Sequence, residues 1–153
     1  MRHYMSVGAL AGFSAGLFMG FYIWFGYQAN LFAYNPFLVL SSVLLPDELT
    51  VTYVGVITSI VVHLFIAAGI GALFAFFVPR RHTVLWGVGL GLLLQLFFGA
   101  LVTPAFTFAP PFWEMDMSSM LFSLSQRLVF GVTLGYLYGL WWIRHEDRRK
   151  TLG

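Results

Sequence analysis

Three side chains stand out because their chemistry is at odds with their surroundings: His63, Gln95 and Arg127 each interrupt a long apolar run. Arginine brings a permanent positive charge and five N–H donors in a planar fork, neutral histidine one donor and one acceptor, and glutamine an amide that does both. A guanidinium in hydrocarbon costs about 2.5 to 3.5 kcal/mol on insertion scales, so its presence calls for a reason. Two reasons fit. In the first the residues are structural: Arg127 snorkels toward an acidic outer loop and locks it through Asp116 or Glu114, while His63 and Gln95 are hydrogen-bond partners between helices. In the second the three line one polar intramembrane site of a small transporter or channel, with Arg127 favouring an anion.

Other chemistries are poorly served. The chain has no cysteine, which excludes disulfides, thiol nucleophiles and iron–sulfur ligation. Of four histidines only His63 lies in an apolar run, so a haem held by two histidines would need a dimer. His3, His82 and His145 stand among arginines, which repel metal cations. No carboxylate interrupts the apolar runs to relay protons, and no set of hydroxyl, base and orienting acid is arranged for hydrolysis. The expectation is a protein that is not an enzyme and needs no metal or cofactor. The net charge is +2, with the basic residues dispersed over tails and one turn, and this predicts no nucleic-acid partner. The expected partners are the lipid bilayer and a second copy or another membrane protein.

The elements that hold these residues follow from composition. Of 153 residues, 59% are hydrophobic and 9% charged, with mean hydropathy +0.84, whereas soluble domains carry roughly 25% charged residues. Backbone polar groups in a bilayer must pair internally, and unbroken apolar runs select helices over a barrel. The fold class is all-α: a four-helix transmembrane bundle forming one domain over 1–153. Spans of the roughly 20 residues needed to cross the hydrocarbon lie near 7–28, 53–78, 83–103 and 120–143. The first is too long for a signal-peptide core and is read as a retained span. Pro79, Arg80, Arg81 and His82 make a tight hairpin between the second and third, and the apolar stretch 35–46 is too short to cross, so it lies in the interface or re-enters.

Basic residues collect on the cytoplasmic side of membranes. Arg2, Arg80, Arg81, Arg144, Arg148, Arg149 and Lys150 all fall on one side of a four-span arrangement, and Asp47, Glu48, Glu114 and Asp116 on the other. The orientation predicted is both termini cytoplasmic. Trp86, Trp141 and Trp142 then mark the inner interface, and Trp24, Tyr27, Phe112 and Trp113 the outer one.

Each span also carries small residues four apart, a glycine-zipper pattern that lets backbones approach closely. The first has Gly8, Gly12, Gly16 and Gly20; the second Ser59, Ala67, Gly71 and Ala75; the third Gly87, Gly91 and Gly99; the fourth Ser123, Gly131, Gly135 and Gly139. His63, Gln95 and Arg127 fall in register with these stripes, roughly 10 to 15 Å below the outer helix ends at 1.5 Å per residue. They therefore point at helix interfaces and could form one buried cluster. The spacing predicts that Gly16→Leu or Gly135→Leu breaks packing while a lipid-facing change such as Leu137→Ile does little.

Several stretches resemble the YqhR-type conserved membrane proteins of Gram-positive bacteria. They are the glycine-rich first span running into Gly26-Tyr27, Pro36-Phe37, the turn Thr103-Pro104-Ala105-Phe106, and Phe130-Gly131-Val132-Thr133-Leu134-Gly135-Tyr136. The resemblance covers most of the chain. It implies a four-span protein of a bacterial plasma membrane and transfers no catalytic residue.

Overall fold

In a computed structural model the described residues are 2–31, 36–79, 81–105 and 111–152, with side chains described except at 2, 3, 36–39, 103 and 143–152. Arg80 and the 32–35 and 106–110 parts of the two loops lie outside them, as do the side chains of the basic tails and of His3 and His145. All regular structure among the described residues is helical: α1 (Arg2–Gln28), α2 (Pro36–Leu44), α3 (Asp47–Thr50), α4 (Tyr53–Phe77), α5 (Thr83–Phe97), α6 (Thr103–Ala105) and α7 (Met117–Leu152). Among them four segments, Tyr4–Gln28, Tyr53–Phe77, Thr83–Val102 and Met117–Trp142, are long and apolar enough to cross a membrane. The chain is a multi-pass membrane protein.

Helix ends obey local chemistry. α1 closes in a Schellman motif, with Asn30 left-handed at φ 55°, Leu31 N donating to Gly26 O at 2.9 Å and Asn30 N to Tyr27 O at 3.1 Å. α4 stops because Val78, preceding Pro79, is extended at φ −87°, ψ 129°. α5 widens into a π turn over Phe98–Val102 just before Pro104, whose ring would clash with a carbonyl one α-turn back. α7 starts earlier than its apolar pattern predicts, because Asp116 caps it: Oδ1 accepts from Ser119 N at 3.1 Å and from Ser118 Oγ at 3.0 Å.

The spans associate as two antiparallel pairs. α1 packs on α4 and α5 on α7, with α1 and α7 joining the pairs, while α2 lies along α4. The 78–82 turn therefore connects two pairs and does not close a packed hairpin of α4 on α5, as its shortness had predicted. The rings of Tyr4 and Trp142 meet tilted at 4.5 Å, which places the start of α1 and the latter part of α7 at one end of the bundle with Arg81, the basic end. Asp47, Glu48, Glu114 and Asp116 occupy the other, acidic end.

Lipid tails are as apolar as leucine, so burial alone does not drive helices together in a bilayer, and close van der Waals contact must. The two pairs achieve it in the same register. On α1, a Cβ added at Gly8 would strike Gly71 and Ala75, at Gly12 Ala67 and Gly71, and at Gly16 Ala67 and then His63. Across α5 and α7, Thr83 meets Gly135 and Gly139, Gly87 meets Gly131 and Gly135, and Gly91 meets Arg127 and Gly131. Step for step, Gly12 matches Gly87, Ala67 matches Gly131, Gly71 matches Gly135 and His63 matches Arg127. Gly20 meets nothing within 4 Å, and Gly99 faces its own helix's Gln95 and Phe112.

Where the pairs join, Ala11, Ala15 and Leu134 are fully buried, with Phe130 and Tyr138 beside them. Tyr138 meets Phe74 edge-on at 5.8 Å and its hydroxyl donates to Ala75 O at 3.5 Å, tying α7 to α4. Trp141, Trp142 and Leu137 pack against this core. Leu137 is thus half-buried against the core and not a purely lipid-facing position, and Trp142 packs on the same core at the end where its sequence position placed it. α2 reaches down α4 far enough for Ser41 N to donate to Ser59 Oγ at 2.9 Å, roughly 9 Å below Tyr53 along the helix.

Candidate functional site

The three polar residues of the spans divide between the two helix pairs. In the α5–α7 pair, Arg127 Nη1 donates to Ser123 O at 2.8 Å and to Ser123 Oγ at 2.7 Å. Ser123 Oγ in turn donates its hydrogen bond to Gln95 Oε1 at 3.2 Å. The serine hydroxyl therefore links a charged donor on its own helix to an amide on the neighbouring one. Gly91 makes the link possible: a Cβ there would stand 2.6 Å from the Arg127 carbonyl, and only that close approach lets Gln95, one turn on, touch Ser123. Gln95 and Ser123 are 5% and 4% exposed, and Arg127 is half-buried.

Side chains on a helix lean toward its N-terminus, which in α7 is the acidic end. The Arg127 side chain follows that lean by one turn and stops at Ser123. The partners expected from the sequence, Asp116 and Glu114, are not the ones used: Asp116 is committed to Ser118 and Ser119, and Glu114 is exposed in a 3₁₀ turn.

His63 belongs to the other pair. Its Nε2 lies 3.2 Å from Gly16 O, and because a carbonyl only accepts, Nε2 carries the hydrogen. Gly16 leaves its carbonyl open to the ring. Matching depth allowed these three residues one cluster; among the described residues no hydrogen bond joins His63 to Gln95 or Arg127.

Sequence reasoning counted Ser123 only as a small residue, although its place one turn before Arg127 was the available signal. It missed Gln126, which is 5% exposed with Oε1 buried and unpartnered among the described residues. It also missed the α1–α7 contact in which Tyr22 donates to Ser125 Oγ at 2.8 Å, while Ser125 donates to Phe122 O. There the Phe122 ring lies against Gly26 and stacks on Tyr22 at 5.0 Å. A cavity of about 380 Å³ at the basic end is lined by Tyr4, Met5, Phe77, Tyr138 and Trp142 among others, and by none of His63, Gln95 or Arg127.

The cap of α7 gives a pH-dependent expectation. Hydrogen bonds from Ser119 and Ser118 hold the Asp116 carboxyl below its ordinary value of 3.8. A depressed carboxylate contributes stability that is complete above the unfolded value and is lost as pH falls through the lower folded value. Melting of the wild type should therefore drop on acidification below pH 3.8. Asp116→Asn, which keeps a capping acceptor without titrating, should lose that part of the dependence, and identical acid profiles would contradict it.

No protein-family model, curated protein or solved structure matches this chain.

Proposed function

We propose that this protein is a non-enzymatic scaffold or accessory subunit that acts through helix packing with itself or with another membrane protein. The observation that carries the reading is the division of the polar side chains: His63 is bonded within the α1–α4 pair, and Arg127, Ser123 and Gln95 within the α5–α7 pair. Side chains bonded inside separate helix pairs do not line one route across a bilayer, as a transporter or channel requires. The faces turned away from the pairs, with Phe65 75% and Leu93 61% exposed, are apolar and available to another helix.

The test couples two measurements. A photo-crosslinking residue at position 65 or 93 should give a discrete adduct with a second copy or another membrane protein in native membranes. Purified protein in liposomes should pass no more chloride or phosphate than empty vesicles do. Anion flux that disappears in Arg127→Leu would replace this reading with the transporter.

Kinship with the YqhR-type proteins and residence in a bacterial plasma membrane belong to the same proposal, and the one-sided basic residues support cytoplasmic termini. Single cysteines at Asp47 and Glu114 should react with an impermeant thiol reagent in intact cells while one at His82 stays unlabelled. The reverse pattern would invert the topology.

A further inference from the structure

The Arg127–Ser123–Gln95 cluster is rich in donors. Among the described residues Arg127 is bonded through Nη1 alone, which leaves the Nε and Nη2 hydrogens for another acceptor. Gln95 is bonded through Oε1 alone, so its amide N–H groups are also uncommitted. Gly99 keeps space beside that amide, since a Cβ there would stand 3.2 Å from Gln95 Nε2. A guanidinium stays charged in proteins, yet the four spans contain no Asp or Glu, and Asp116 is committed to its cap.

Depth narrows the counter-charge. The apolar part of α7, Met117–Trp142, has 26 residues and is about 39 Å long, against roughly 30 Å of hydrocarbon. Centred and untilted, it places Ser123, and with it the Arg127 fork, about 5 Å inside the hydrocarbon boundary at the acidic end. That is within reach of the phosphate layer for a side chain that is only partly buried. Planar N–H pairs of arginine match the oxygen spacing of phosphate, and the Gln95 amide supplies further donors.

We propose that Arg127, Ser123 and Gln95 form a binding site for a tetrahedral oxyanion, a phosphate or phosphodiester, at the acidic end of the α5–α7 pair. The group can arrive as a phospholipid headgroup or as free phosphate, and the site stands independently of the scaffold reading.

The test uses the full chain delipidated in a neutral glycoside detergent, with its phosphorus content measured first so that retained lipid counts as occupancy. Melting is then followed against inorganic phosphate, against a short-chain phosphatidylglycerol, and against sodium chloride at matched ionic strength. At a hundredfold excess over Kd, one or both phosphates should raise the Tm by about 5 to 10 °C while chloride does not. If phosphorus is already bound, about one atom per chain should be found and lost in the variants. A response to the lipid alone assigns the headgroup; a response to both assigns the shared phosphate group. Arg127→Gln should abolish the response. Gln95→Glu keeps the shape of the amide and supplies an internal counter-charge, so it should melt at or above the wild-type temperature without responding, and it decides the matter if Arg127→Gln fails to fold. Neither retained phosphorus nor a rise over chloride in the wild type, or a rise that survives in Gln95→Glu, would overturn the site.

Discussion

Gly87→Leu is expected to disrupt the α5–α7 pair, whereas Gly89→Leu, two residues along the same helix, should leave the melting temperature unchanged or raise it. A Cβ at Gly87 would run into the Gly131 carbonyl and lie 2.9 Å from Gly131 C and 3.3 Å from Gly135 Cα, while one at Gly89 meets nothing within 4 Å. Overpacking a core costs about 1 to 3 kcal/mol where side chains can yield. Here both partners are helix backbone, so the cost should reach about 3 kcal/mol or more, a fall on the order of 10 °C in Tm. At Gly89 the exchange removes an intrinsic helix penalty approaching 1 kcal/mol. Gly12→Leu and Gly69→Leu repeat the contrast in the α1–α4 pair, where Gly12 faces Ala67 and Gly71 and Gly69 faces open space. Equal tolerance of leucine at 87 and 89, measured by thermal melting in one detergent, would remove close backbone contact as the basis of the fold.

Ser123→Ala should have the largest effect of any change that adds no bulk. The hydroxyl accepts from Arg127 at 2.7 Å and donates to Gln95 at 3.2 Å, so its loss leaves Gln95 Oε1 without its partner and takes one of two acceptors from Arg127 Nη1, which keeps the Ser123 carbonyl at 2.8 Å. Leaving a buried polar group unsatisfied costs about 1 to 3 kcal/mol, and more when a charge is involved. A loss of about 1 to 3 kcal/mol follows, because the group left unsatisfied is the neutral Gln95 amide oxygen. Because Gln95 acts through the same oxygen, Gln95→Leu on top of Ser123→Ala should add much less than it costs alone, the non-additivity expected of residues sharing one network. Additive losses in a double-mutant cycle would mean that the two residues do not communicate through the serine.

How much of this could be read from the sequence depends on what periodicity encodes. Apolar length placed all four spans, and four-residue spacing put Gly8, Gly12, Gly71, Gly87, Gly131 and Gly135 on interface faces. Periodicity names a face and not its neighbour, so it could not tell that α1 takes α4 and α5 takes α7. Matching depth allowed His63 and Arg127 one cluster but could not decide it, because lateral partner sets which polar groups meet. Arg127 was given an acidic partner by charge, whereas the Ser118 and Ser119 donors hold Asp116 at the start of α7. Leu137 lies off the glycine stripe and reads as lipid-facing from α5, but α7 has a second buried face toward the α1–α4 pair. The bond from Ser41 to Ser59 depends on how α2 folds back, and no local pattern reports that.

The shared register of the two pairs bears on how the protein is made. Each pair is contiguous in the chain, the first complete by Phe77 and the second confined to residues after His82. A ribosome adding about 5 to 20 residues per second releases Phe77 some 4 to 15 seconds before Leu152. In that interval the nascent first half can bury its own glycines against its own second helix, with no exposed small-residue face waiting for a partner still to be synthesised. The second half repeats the event, and joining the halves then needs the α1–α7 seam and the contact of Tyr138 with α4. Biogenesis is thus divided into two local insertions and one docking step, and His63 and Arg127 occupy the same station on the second pass of each half, the second and fourth spans.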